Sequence, residues 1–272
     1  LVRKISYGTH KVKYLTMMLP PLQGSLQQDR FFIYAAADSV YFDLHARALI
    51  KSVLAHTPEY GVHIHIYDPR PDQIEFCNTL PGVSCTYEYT NDQVFDQVCS
   101  YWQTRTNLTN ERQQQMAKKG RTFGSVELKK LIKQTYYACM RFVRLAELLQ
   151  PGQRCLSIDV DGLVRGKFSV DLGNEDFYLY EKPKDGTHLA GALLFNGKPE
   201  SHAFLQEYAS ALKTNIEQQE LYWFLDQLIL DQLVPKYRKG LLPMSYIDWA
   251  MKEGSPIWSA KGKRKELEVF KQ

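Results

Sequence analysis

The 272-residue chain is 44 % hydrophobic, 24 % charged and 12 % aromatic, which excludes a disordered, collagen-like or coiled-coil protein. Its net charge of +4 is local: the last 42 residues hold nine of the 34 Lys and Arg against five of the 30 Asp and Glu, leaving the first 230 neutral. That distribution argues against a nucleic-acid partner and for a local phosphate clamp, and no apolar run approaches the ~18–20 residues of a membrane span. In chain order, residues 1–30 read as an irregular or hairpin lead-in with Pro20-Pro21. Phe31–Ala37 is an apolar run of strand length, and Asp38-Ser39 supplies cap chemistry for a helix whose apolar positions recur every three to four residues until Thr57-Pro58. Val62–Tyr67 alternates as a strand, which completes a βαβ unit and implies a parallel sheet. Pro71–Phe76 predicts a short helix and Leu80–Tyr89 a third strand. The polar stretch 91–125 reads as a loop with helical pieces, Ser125–Gln150 as one long helix, and Arg154–Gly162 as a strand ending in acidic residues. Strands over Phe177–Tyr180 and Leu189–Asn196, helices over Pro199–Lys213 and Gln218–Gln232, and a loop-rich tail complete a single α/β domain.

The cysteines Cys77, Cys85, Cys99, Cys139 and Cys155 are odd in number and lack C-x-x-C spacing. This excludes a thiolate zinc site and predicts reduced thiols in a cytoplasmic setting. Asn107-Leu108-Thr109 is a sequon with nothing else to support secretion. His63, His65, His188 and His202 lack metal-ligand spacing and read as packing or surface residues, with His188 a lesser site candidate.

The sharpest chemical signal is Asp159-x-Asp161 at the end of an apolar strand. Ligands of open α/β sheets bind outside the carboxyl ends of strands, and positions i and i+2 point the same way. Two hard oxygen donors on one face suit Mn²⁺ or Mg²⁺ bridging a diphosphate. Asp38 reads equally as a helix cap or a ligand contact, and Tyr41 as pocket wall or stacking ring. Arg141, inside an apolar helix, requires a carboxylate or phosphate partner.

Taken in order, four segments resemble GT-A-fold nucleotide-sugar glycosyltransferases, most closely glycosyltransferase family 8, the glycogenin and bacterial galactosyltransferase group. Tyr34–Tyr41 with Ala46–Val53 is similar to the family's opening strand, nucleotide-binding turn and first helix. Tyr136–Phe142 leads to Ile158-Asp159-Val160-Asp161 as the family's Arg-bearing helix leads to its metal-binding D-x-D strand. Gly191–Asn196 and Trp223-Phe224-Leu225-Asp226-Gln227 resemble its sugar-side strand and the start of its D-Q helix. Trp258–Lys265 resembles its late H-x-x-G-x-x-K element, with Ser259 in place of the His.

The resemblance implies a single GT-A-like, Rossmann-type domain with a mostly parallel central sheet flanked by helices. Residues 31–90 would form the nucleotide-binding part and residues 125–265 the metal, sugar and acceptor part. The implied activity is metal-dependent transfer of a hexose from a nucleotide diphosphate sugar, expected to be a uridine diphosphate sugar, to a hydroxyl of a glycan, protein or small molecule, with retention. Asp226, Asn196 and Gln227 would be catalytic, and Asp159, Asp161 and Ser259 would hold Mn²⁺ or Mg²⁺. Ala36, Asp38, Tyr41, Arg141, Asp159, Lys261, Gly262 and Lys265 would meet the nucleotide.

Two alternatives stand beside it. Leu156–Gly162 also looks like the D-x-D-G opening of haloacid-dehalogenase-type phosphatases, with Asp159 as nucleophile and Asp161 as acid/base. That motif expects a Thr where Leu163 stands, and a later acidic pair that the chain lacks. A non-catalytic sugar-nucleotide-binding protein would keep the same pocket. A nucleotidylyltransferase needs a Gly-rich loop, and residues 34–41 contain no glycine.

Overall fold

A computed structural model describes residues 18–104, 125–182, 186–248, 251, 253–260 and 262–271. The short β1 (Gln23–Gly24) precedes β2 (Phe32–Asp38), whose first four residues are wholly buried. Asp38 caps α1 (Ser39–Tyr41), its Oδ1 accepting the Tyr41 N–H at 2.8 Å, so the capping reading holds for this residue. A π turn over Phe42–Ala46 leads into α2 (Arg47–His56). Then follow β3 (Gly61–Tyr67), α3 (Pro71–Thr79), β4 (Val83–Glu88) and α4 (Asp92–Thr104). In α4, Phe95, Val98 and Cys99 are buried at helical spacing, which gives the segment 91–125 a longer helix than its polarity indicates. The sequon lies outside the described residues.

The second half comprises α5 (Ser125–Leu148), β5 (Cys155–Ile158), β6 (Gly162–Val164), β7 (Phe177–Glu181), β8 (His188–Phe195), α6 (Pro199–Glu217) and α7 (Leu225–Leu233). It closes with β9 (Lys239–Leu241), β10 (Ile247–Asp248), β11 (Ile257–Ser259) and two 3₁₀ turns, Gly262–Glu266 and Glu268–Phe270. The helix expected from Gln218 begins only at Leu225, because Gln219 and Phe224 take left-handed φ of 60° and 66°. The apolar pattern before it reflects the burial of Leu221, which does not require a helix.

Eight strands form one sheet in the order β1-β4-β3-β2-β5-β8-β7-β9, and β10-β11-β6 form a second. Strands β4, β3, β2 and β5 run parallel, whereas β8 is antiparallel to both β5 and β7. This mixed α/β sheet is flanked by helices, with one apolar cluster on each face. Val62, Ile64 and Ile66 of β3 enter one cluster. On the opposite face His63 meets Ser84 Oγ at 2.8 Å and Thr86 Oγ1 at 3.0 Å, and His65 meets Thr86 Oγ1 at 3.0 Å. These are packing histidines, as alternation within a doubly covered strand requires. All five cysteines are free and buried.

The direction of β8 corrects one expectation. Its register pairs Ile158 with Ala192 and Cys155 with Phe195. Asn196 therefore lies at the end of the sheet away from Asp159, where its amide donates to the Glu175 carbonyl and accepts the Lys198 N–H at 3.1 Å. Read as a parallel strand, β8 would have delivered Asn196 to the ligand end. As an antiparallel strand it delivers Leu189–Gly191 there instead.

Candidate active site

At the carboxyl end of β5 the chain leaves the sheet in a turn closed by the Gly162 N–H on the Asp159 carbonyl at 3.1 Å. The turn, rather than strand alternation, brings Asp159 and Asp161 to the same cavity while Val160 is buried behind them. From the second sheet, β11 pairs Ser259 with Gly162, and the Ala260 N–H donates to the Asp161 carbonyl at 2.9 Å. Ser259 is thereby fixed beside the two carboxylates.

Each acidic group has a cation. Arg141 Nη1 lies 2.5 Å from Asp159 Oδ1, its Nη2 donates to the Ala190 carbonyl at 3.0 Å, and the same nitrogen is 3.6 Å from Asp226 Oδ2. The unpaired charge anticipated in the apolar helix α5 is thus compensated by two carboxylates. Lys265 Nζ ion-pairs with Asp161 Oδ2 and lies 5.5 Å from the centroid of the Tyr41 ring.

Burial pushes the Asp161 carboxyl above its ordinary range, and the neighbouring Asp159 adds to this against the pull of Lys265. Burial likewise raises Asp226, with Arg141 opposing it. Asp226 begins α7, where its Oδ1 accepts the Gln227 N–H at 2.9 Å and its carbonyl accepts the Tyr208 hydroxyl at 2.9 Å.

These groups line a cavity of about 640 Å³. Of the residues singled out from the sequence, Arg141, Asp159, Asp161, Asp226, Gln227, Ser259 and Lys265 reach it. Ala36, Asp38, Tyr41 and Gly262 do not line it, although Tyr41 adjoins it through Lys265. Lys261 lies outside the described residues.

Sequence reasoning missed Thr135, Tyr180 and Lys182 as lining groups, and held Ala138 and Gly191 only as members of resembling segments, without a role of their own. Ala138 stands three residues before Arg141, so helical spacing could have found it. Tyr180 and Lys182 enter through the β7–β8 register, which no local pattern encodes. Gly191 has a steric reason: a Cβ there would stand 2.7 Å from Asp159 Oδ2.

No protein-family profile matches the chain, and no curated protein matches it in sequence. Among solved structures it resembles the apo form of the glycosyltransferase GlyE of Streptococcus pneumoniae, with a TM-score of 0.53, 15 % identity, and 87 % of this chain and 55 % of that one covered. It also resembles the bifunctional glycosyltransferase WbbM, with a TM-score of 0.52, 14 % identity and coverage of 88 % and 47 %. The fold is GT-A-like. The chain spans about half the length of these two proteins. A third likeness, to the galactosyltransferase LgtC, has a TM-score of 0.49 at 14 % identity, covering 85 % of this chain and 87 % of that one.

The donor set near the turn comprises two carboxylates and the Ser259 hydroxyl, all hard oxygens. Among the described residues no group of three His, Cys, Asp or Glu side chains is arranged to hold a metal. Such a set fits Mn²⁺ or Mg²⁺ that keeps water and phosphate oxygens in its coordination sphere; it does not fit a metal held by protein alone. Lys265 already marks a cation position on Asp161. No helix among the described residues is long and apolar enough to cross a membrane.

Proposed function

We propose that the protein is a metal-dependent glycosyltransferase that moves a hexose from a nucleoside diphosphate sugar, a uridine diphosphate sugar being the expected donor, to a hydroxyl acceptor. The supporting observation is the cavity that gathers Asp159, Asp161, Asp226, Arg141, Lys182 and Lys265 at the ligand end of a GT-A-like sheet. In the reaction the bond from the sugar's anomeric carbon to the diphosphate breaks, a bond to the acceptor oxygen forms, and the acceptor proton departs. Negative charge grows on the leaving diphosphate, and preorganised cations at that position lower the barrier.

In this reading Asp159 and Asp161, with Ser259, hold Mn²⁺ or Mg²⁺, which supplies Lewis-acid stabilisation of the diphosphate when bound. Lys265 and Lys182 are the cations for the phosphates. Arg141 is a positioning residue: it fixes Asp159 on one side and Asp226 on the other. Asp226 and Gln227, at the start of α7, face the sugar. Retention of anomeric configuration is the expectation that the resemblance to glycosyltransferase family 8 carries into this reading. Nothing in the geometry favours the phosphatase alternative, in which Asp159, here held by Arg141, would be the nucleophile.

The test is release of nucleoside diphosphate from a panel of sugar nucleotides with Mn²⁺ and water as acceptor. Asp159→Ala and Asp161→Ala are each expected to lower the rate by 100-fold or more, on the order of one lost charge-stabilising contact. Full activity in either variant removes the site assignment.

A further inference from the structure

The contact between Lys265 and Asp161 has the geometry of a lock. Asp161 is 5 % exposed, and a carboxylate so desolvated stays ionised only beside a counter-charge. That charge is supplied by the Lys265 ammonium. Lys265 rides on the turn Gly262–Glu266, which has no buried residue, and Gly262 opens that turn with a φ of 60°. The following turn is anchored. Phe270 is buried in a small cluster with Ala48, Leu163 and Ala260, and its carbonyl meets His45 Nδ1 at 2.9 Å. The turn buries no side chain of its own and Phe270 anchors the chain after it, so Lys265 can leave Asp161 while the segment stays docked.

We propose that Lys265 is a resident counter-cation that competes with the divalent metal for Asp161, so that metal and diphosphate enter as a pair and neither enters readily alone. This rests on the metal-dependent reading above and adds to it an order imposed by this chain's own lysine. A divalent ion approaching Asp161 meets a positive charge already in contact with the carboxylate, and the two cannot share it without strong repulsion. A diphosphate offers Lys265 a second anionic partner. Its arrival draws the ammonium away and frees Asp161, and by linkage the metal must raise diphosphate affinity by the same factor.

The experiment measures Mn²⁺ binding without any turnover, from the loss of the free-ion paramagnetic resonance signal, in the wild-type chain and in Lys265→Met, each with and without uridine diphosphate. The lock predicts that Lys265→Met binds Mn²⁺ alone more tightly than wild type, by about 5–150-fold, the usual span of coupling between two sites. Uridine diphosphate alone should bind it more weakly. Lys271→Met removes the same charge farther along the segment, from a lysine paired with Glu268 at 3.5 Å, and should leave Mn²⁺ binding at the wild-type value. Lys265→Arg keeps the counter-cation and should keep metal binding weak.

If Lys265→Met binds Mn²⁺ no better than wild type, while both bind it with uridine diphosphate, the lock is overturned and the transferase reading stands. The lock also fails if Lys265→Arg matches Lys265→Met, or if Lys271→Met tightens binding as much. If no variant takes up Mn²⁺ with or without uridine diphosphate, the metal-dependent reading falls and the lock with it. Melting temperatures of all variants show whether each is folded.

Discussion

Arg141 illustrates how one residue links stability to the site. Its guanidinium is buried beside Asp226, which is nearly buried, and Asp159, which is half exposed. Removing the cation leaves Asp159 access to water but strands Asp226. Arg141→Met is therefore expected to cost about 3–5 kcal/mol in urea denaturation, the usual penalty for breaking a buried pair. Adding Asp226→Asn should restore much of that stability without restoring activity. A single-variant loss below about 1 kcal/mol would show that the pair is not structurally coupled. Gly191 acts through absence: Gly191→Ala places a methyl 2.7 Å from Asp159 Oδ2. Relief by a shift of the carboxylate should cost about 1–3 kcal/mol and weaken nucleotide binding, read by titration calorimetry. The carboxylate pair itself was legible from two letters after an apolar run. Gly191 was not, because its role exists only once β8 is laid antiparallel to β5.

At the scale of elements, β2 was readable from an unbroken apolar run of strand length, α2 from an apolar period of 3.6 and β3 from strict alternation. Strand β3 also makes a prediction about pH. Burial, reinforced by the neighbouring His65, lowers the His63 pKa to about 3. Burial lowers His65 as well, with Glu88 opposing it. Both rings are neutral in the fold and protonate more readily when unfolded, at about 6.5. The His63 contribution is whole above that value and is lost as pH falls from about 6.5 toward about 3, at about 1.4 kcal/mol per pH unit, and His65 acts in the same direction. Chemical denaturation between pH 7 and 5 should show this decline, and His63→Asn should flatten it. An equal slope in the variant would assign the acid sensitivity to other groups. The start of α7 and the path of β8 escaped sequence reading for one reason: both depend on long-range packing. Leu221 is buried without a helix, and a largely apolar strand carries no mark of its direction.

For the whole molecule, the cavity forms where the large sheet meets the small one: β5 and β8 supply Asp159 and Gly191, and β11 supplies Ser259. The order of short segments along the chain made the α/β class and the GT-A-like fold legible, although no single segment is specific. The distribution of site residues was legible only in part. Ligand-end placement follows from topology for Asp159 and Asp161, whereas Tyr180 and Lys182 arrive through a strand register that no local pattern records. In the proposed function this junction binds a nucleoside diphosphate through a metal on Asp159 and Asp161. Thermal melting with Mn²⁺ and a panel of nucleoside diphosphates, for the wild-type chain and Asp161→Ala, tests it most directly. At about 100 times its dissociation constant the preferred nucleotide should stabilise the wild-type chain by about 2.7 kcal/mol. The expected result is a uridine diphosphate shift that needs the metal and vanishes in Asp161→Ala. A shift that persists without metal or in the variant, or no shift with any nucleotide, would contradict it.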